Sequence, residues 1–159
     1  MIQDLLPASV QNQARRCLMD TLGVGAGGLD TRLSRIIRDH AAESFGGTGR
    51  MMFDGQPASP AGVALAAGMT IDALDDHDGF NPAKGHVGAP LVAGLLGLAQ
   101  RNEISGEAFL TALVLGYEIG CRVALSQHGT VPDYHTSVSW GATMVAAAGA
   151  RRWTLDAER

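Results

Sequence analysis

Apolar residues recur with a helical period along most of the chain. Val10, Ala14, Cys17, Leu18, Thr21, Leu22 and Val24 form one stripe. It predicts a helix over 8–26, opening after Pro7 and stopping at Gly27-Gly28. Leu33, Ile36, Ile37 and Ala41 form a second stripe, a helix capped by Asp30 or Thr31 and running to about residue 45. Arg32, Arg35 and Arg38 lie on its neighbouring face and are expected in solvent. The period is lost over 48–57, which reads as extended or irregular. Met51, Met52 and Phe53 are core plugs there, and Asp54-Gly55 is a turn.

The period returns at Ser59, an N-cap, with Pro60 at the first helical position. This third helix runs to about residue 74 and is nearly all small and apolar, so burial around much of its circumference is expected. A fourth helix follows over 89–101. A fifth runs over 105–127, opened by Ser105 and carrying Glu107 in its first turn, where a negative charge suits the helix dipole. Glu118 falls within its apolar stretch and is expected to be buried and paired with Arg122 at i+4. A sixth helix covers 138–153. No segment alternates strongly enough to predict a strand. The fold class is therefore all-α, a bundle of about six helices packed through small side chains, with 1–159 as a single helical domain.

Composition narrows the possible functions. The chain is 46% hydrophobic, which supports a core, and its net charge of -4 with no basic run beyond two residues argues against nucleic acid. Cys17 and Cys121 both sit in helical patterns and read as reduced core residues; no zinc or iron–sulfur spacing is present. The N-terminus lacks a basic region, and the longest uncharged apolar run, 87–99, is shorter than the ~20 residues a bilayer crossing takes. A cytoplasmic protein without a membrane partner is the resulting expectation.

Two polar loops interrupt the apolar helices. The first holds Asp75, Asp76, His77, Asp78, Lys84 and His86, six titratable groups within twelve residues, and Lys84 is the chain's single lysine. The second, 128–137, holds His128, Asp133, Tyr134 and His135. In an antiparallel bundle the two loops can share one end, bringing His77, Asp78 and His86 towards Asp133, Tyr134 and His135. Imidazoles placed there can act as general acid and base near neutrality. Asp and His also ligate metals, but the spacing matches no metal signature, and no nucleotide-binding or nucleophile-elbow motif occurs.

The ordered motifs resemble the MmgE/PrpD family, which is named for 2-methylcitrate dehydratase and includes cis-aconitate decarboxylase and iminodisuccinate epimerase. Residues 10–28, with Ala14-Arg15-Arg16-Cys17-Leu18-Met19-Asp20-Thr21-Leu22-Gly23-Val24, are similar to its opening helix. Residues 60–74 followed by Asp75-Asp76-His77-Asp78-Gly79 are similar to its Ala-rich helix and Asp-rich loop. Gly85-His86-Val87-Gly88-Ala89-Pro90 resembles its His-Pro-Gly turn. Gly116-Tyr117-Glu118-Ile119 and Tyr134-His135-Thr136-Ser137 follow in the family's order. Val87 and Thr136 stand where the family usually has proline.

The resemblance implies a usually dimeric helical domain, no metal or organic cofactor, and proton or carboxylate chemistry next to a carboxyl group on a small polycarboxylate. It places Asp75 or Asp76, His86 and His135 in the active site, and Lys84 on substrate carboxylates. The expected catalytic residues are Asp75, His86 and His135; the expected substrate-binding residues are Asp76, His77, Lys84 and Tyr134. Family members are longer, so the resemblance also implies that this is the N-terminal part of the helical domain. It would be inactive alone and completed by a second chain or by its own oligomer. The competing expectation is a non-catalytic structural or regulatory subunit.

Overall fold

Six helices carry the chain in the computed structural model, which describes residues 6–101, 103–133 and 136–152. They are α1 (Ala8–Gly28), α2 (Arg32–Ser44), α3 (Pro60–Asp72), α4 (Gly88–Ala99), α5 (Gly106–Thr130) and α6 (Val138–Arg152). A two-residue antiparallel ribbon, β1 (Gly49–Arg50) with β2 (Pro57–Ala58), bridges α2 to α3. The fold is the all-α bundle that the helical periods predict.

Local chemistry starts three of the helices. Thr31 Oγ1 accepts from the Ser34 N–H at 3.1 Å, Ser59 Oγ from Gly62 at 3.3 Å, and Ser105 Oγ from Ala108 at 3.1 Å. Each cap contributes about 1 kcal/mol. Pro60 follows Ser59 where no backbone N–H is needed.

Small residues then set how closely the helices approach. A Cβ on Gly97 would lie 2.6 Å from the Pro60 carbonyl oxygen, and one on Gly68 would lie 3.4 Å from the Ala93 Cβ. These pairings run in opposite directions along the two helices, so α3 and α4 are antiparallel. The segment that joins them therefore emerges at one end of the pair. A core of Ile71, Val87, Leu91, Leu95, Leu113, Trp140 and Met144 fills the space between α3, α4, α5 and α6. A smaller cluster of Ala41, Met51, Ala58, Val63 and Ala66 sits beneath the ribbon.

Several local expectations are corrected. Gly27 and Gly28 are the last residues of α1, which ends at Gly28 rather than before the pair. A Cβ on Gly28 would lie 2.3 Å from the Thr70 carbonyl oxygen, so this glycine lets α1 touch α3. Phe53 is not a core plug: it is 45% exposed at φ 74°. Arg38 is not simply solvated, because it pairs with Asp54 and donates to the Leu29 carbonyl at 3.1 Å. Glu118 does pair with Arg122, Nε to Oε1 at 2.6 Å, but both side chains are exposed. The cysteines are free and half-buried.

Helix α5 extends to Thr130 and absorbs His128 and Gly129, which the sequence pattern assigns to a loop. Among the described residues it is the one helix long and apolar enough to cross a membrane, with mean hydropathy 1.6. Here it packs along α6, α4 and α1.

Candidate active site

Residues 73–87 leave α3 at Asp72 and must turn back to start α4. Two left-handed residues and one short turn achieve this. Asp75 sits at φ 51°, with its N–H on the Asp72 carbonyl at 3.0 Å. Asn81–Ala83 form a single 3-10 turn closed by Lys84 at φ 50°, and Phe80 N–H meets the Gly85 carbonyl at 2.8 Å. Left-handed backbone costs a residue with a Cβ roughly 1 kcal/mol, and Asp tolerates it better than most.

Asp78 organises the rest of the segment. Its carboxylate accepts from the Gly88 N–H at 3.0 Å, at the start of α4, and from the Tyr117 hydroxyl at 3.1 Å on α5. A Cβ at position 88 would lie 2.2 Å from Asp78 Oδ1 and 2.7 Å from the phenol oxygen, so both side chains would have to give way. Burial and then the Asp78 charge push the Tyr117 pKa well above the ordinary phenol range, so Tyr117 stays a donor. Burial also raises the Cys121 thiol, helped by Asp78 and Glu118.

Two histidines flank this clamp, His86 held by Asp78 and His77 by Asp72. His86 Nδ1 lies 2.6 Å from the Asp78 carbonyl oxygen. A carbonyl only accepts, so the neutral imidazole carries its proton on Nδ1 and presents the Nε2 lone pair. That Nε2 is 3.6 Å from Asp75 Oδ1. The His86 backbone N–H donates to Ser137 Oγ at 3.0 Å, which ties the first polar loop to the residue just before α6. His77 is 6% exposed. Its Nε2 lies 2.9 Å from Asp72 Oδ1, and its Nδ1 is buried with no hydrogen-bond partner. The two rings meet edge to face, 4.4 Å between centroids.

Both histidines open onto a cleft of ≈ 370 Å³ between α3 and α4. Asp72, His77, His86 and Ser137 line one end, and Ala64, Leu65, Gly68 and Met69 on α3 face Ala89, Pro90, Ala93 and Gly94 on α4 along the remainder. Asp75, His77 and His86 each bring a donor atom within 4.8 Å of the others, a set whose chemistry also suits a divalent transition metal.

Of the residues expected from the sequence, the structure gathers Asp75, His77 and His86. Asp76 and Lys84 are exposed and lie off the cleft wall. Tyr134 and His135 lie outside the described residues. The first loop touches the second at Ser137, while the expected approach of His77, Asp78 and His86 to Tyr134 and His135 lies outside the described residues. Gly88, Tyr117, Ser137 and the clamping role of Asp78 were not anticipated. Their contacts cross 10, 39 and 51 positions of sequence, and no local spacing signals them.

Comparison with known proteins gives a consistent result. The model of the MmgE/PrpD N-terminal domain matches residues 2–159. A curated relative, "Cis-aconitate decarboxylase-like protein oryM" of Aspergillus oryzae, is 25% identical over 160 aligned residues. The alignment covers 92% of this chain and 33% of the relative, so the chain spans about a third of that protein's length. No solved structure matches.

Proposed function

The chain belongs to the MmgE/PrpD family, and from that membership we propose that its polar loop is the proton-transfer part of a lyase site. The substrate is a small polycarboxylate, and the reaction is dehydration or decarboxylation next to a carboxyl group. The observation that carries this reading is His86. Its Nδ1–H is held by a backbone carbonyl, and its Nε2 lone pair stands at the cleft beside a carboxylate.

In this reading, for a dehydration, Nε2 takes the proton from the carbon next to the substrate carboxylate; for a decarboxylation the protonated Nε2 instead gives a proton to the carbon that has lost carbon dioxide. The new imidazolium then pairs with Asp75, a contribution of about 1 kcal/mol at an exposed carboxylate. In a dehydration the His86 imidazolium then gives that proton to the leaving hydroxyl, which departs as water and restores the neutral ring, while His77, held by Asp72, stays neutral beside it. Ser137 fixes the His86 backbone and so the aim of its ring. His135 and Tyr134 remain assigned to the same site by family resemblance, as do Asp76 and Lys84 to carboxylate binding.

The test is turnover of 2-methylcitrate and cis-aconitate by protein purified from its own source, with whatever copurifies, against the same preparation carrying His86→Ala. General acid–base catalysis is worth roughly 10²–10⁴-fold, so a loss in that range is expected with unchanged circular dichroism and melting temperature. Wild-type turnover in the variant removes His86 from the chemistry and with it this reading.

A further inference from the structure

The two histidines have matched support. His77 gives one nitrogen, Nε2, to Asp72 at 2.9 Å, and His86 gives Nδ1 to the Asp78 carbonyl at 2.6 Å. Carboxylate and carbonyl oxygens only accept, so both engaged nitrogens carry the protons. The remaining nitrogens, His77 Nδ1 and His86 Nε2, each keep a lone pair. The first is buried without a hydrogen-bond partner, on a side chain 1% exposed, and the second stands 3.6 Å from Asp75 Oδ1.

Two lone pairs beside a carboxylate are acceptors meeting acceptors, and a cation satisfies all three at once. The support is the kind that metal-binding imidazoles have: the second ring N–H is tied to a carboxylate or a backbone carbonyl, which fixes the tautomer and aims the lone pair. Asp75, His77 and His86 bring donor atoms within 4.8 Å of one another. Donors on one tetrahedral ion, with bonds of ~2.0–2.1 Å, stand roughly 3.3 Å apart. A small side-chain shift therefore closes the set, and Asp75, 80% exposed, has room to make it. The cleft gives entry, since His77 and His86 line its wall.

We infer that Asp75, His77 and His86 form a binding site for one divalent transition-metal ion of the zinc class, with its other positions open to the cleft. Two imidazoles and one carboxylate suit zinc, iron(II) or cobalt(II); magnesium and calcium take oxygen ligands. The site stands independently of the lyase reading. Under that reading the ion takes the lone pair that the proton needs, so it acts as an inhibitor and not as a cofactor.

The experiment is titration of the chelator-treated full chain with zinc against a chromophoric chelator, repeated with magnesium and with cobalt(II), whose visible bands report its ligands. It uses wild type, His86→Ala and Asp75→Asn, with circular dichroism as the check on folding. Asparagine tolerates the left-handed backbone at position 75, so Asp75→Asn decides even where His86→Ala does not fold. The expected result is a single zinc ion per chain in wild type, no magnesium binding, and cobalt bands of nitrogen and oxygen ligation. Each folded variant should lose at least ~10-fold in zinc affinity, the lower end of what even outer-shell partners contribute. Unchanged affinity in either folded variant places the ion elsewhere and overturns the site. Failure to bind zinc overturns it too, as does magnesium bound as tightly as zinc, or the intense sulfur-to-cobalt band that ligation by Cys17 or Cys121 would give. Saturating zinc should also lower turnover of 2-methylcitrate, and chelator should restore it. Turnover that persists at full occupancy removes His86 from the chemistry and overturns the lyase reading, not the site.

Discussion

Two segments of this molecule turn the chain between helices in similar ways and have different fates. The connector from α2 to α3 and the segment from α3 to α4 both contain glycines and tight turns, and each has non-glycine backbone at positive φ, at Phe53 in one and at Asp75 and Lys84 in the other. In the first, the polar groups are spent on each other. Asp54 takes Arg38, the Gln56 N–H at 3.1 Å and the Gln56 amide at 3.0 Å, while Arg50 donates to the Gly55 carbonyl at 3.1 Å. In the second, Asp78 and Asp72 hold two histidines so that each keeps a lone pair unspent, one buried and one beside a carboxylate. Turn geometry therefore does not separate a connector from a site. What separates them is whether the hydrogen bonds close within the loop or stop one short at a cleft wall.

The largest effect expected from disturbing this contrast comes from Gly88→Ala. The added methyl would lie 2.2 Å from Asp78 Oδ1, so the carboxylate must shift and its bonds to the α4 N-terminus and the Tyr117 hydroxyl are strained or lost. Losing two charge-assisted bonds at a half-buried site costs about 2 kcal/mol. It also releases the carbonyl that orients His86. Urea denaturation should register the first loss and turnover the second. A variant that keeps wild-type stability would mean that Asp78 is a passenger in the segment.

Tyr117→Phe is smaller, about 1 kcal/mol, and its signature is in the pH dependence. The folded phenol has a pKa raised above its ordinary value by burial and by Asp78. A group with a raised folded pKa contributes stability that is fully present below the unfolded value, about 10 for tyrosine, and is lost as pH rises above it. Wild type should thus weaken on the alkaline side more steeply than Tyr117→Phe, and urea midpoints at neutral and alkaline pH compare the two directly. Parallel alkaline decline in both proteins would place the responsible group elsewhere.

How far this contrast can be read from sequence depends on the range of the contacts. Ser59, Thr31 and Ser105 each act within three residues, so the starts of α3, α2 and α5 are legible locally. The titratable cluster at 75–86 is legible as well, because it stands between apolar helices. Its internal division is not. The Asp78 bonds reach Gly88 and Tyr117, and whether a carboxylate clamps or reacts depends on those distant partners. The same limit explains Gly28, where a glycine pair that suggests a helix stop is also a contact surface for the Thr70 carbonyl. Glu118 follows the same logic: its apolar neighbours suggest burial, but only the packing of α5 decides which face is covered. Phe53 is left half exposed at a left-handed backbone position, with its ring edge over Gly25 of α1, an arrangement no hydropathy pattern carries.

The smallest expected effect is the sharpest control. Asp54→Asn removes a charge from the self-satisfied connector while keeping its shape. Burial opposes ionisation of Asp54, but hydrogen bonds from Gln56 and Arg38 and the Arg38 charge outweigh it, so the folded pKa is lowered. A group with a depressed folded pKa stabilises above the unfolded value, about 3.9, and the benefit is lost as pH falls through the folded one. Wild type should therefore exceed Asp54→Asn by under ~1 kcal/mol at neutral pH, the range of a pair near the surface, and the gap should close in acid. Turnover should not change, since every bond Asp54 makes stays within its own connector and α2. If turnover falls as it does in Gly88→Ala, the two loops are coupled through α3. The division between a closed loop and an open one would then give way to a site that spans both ends of that helix.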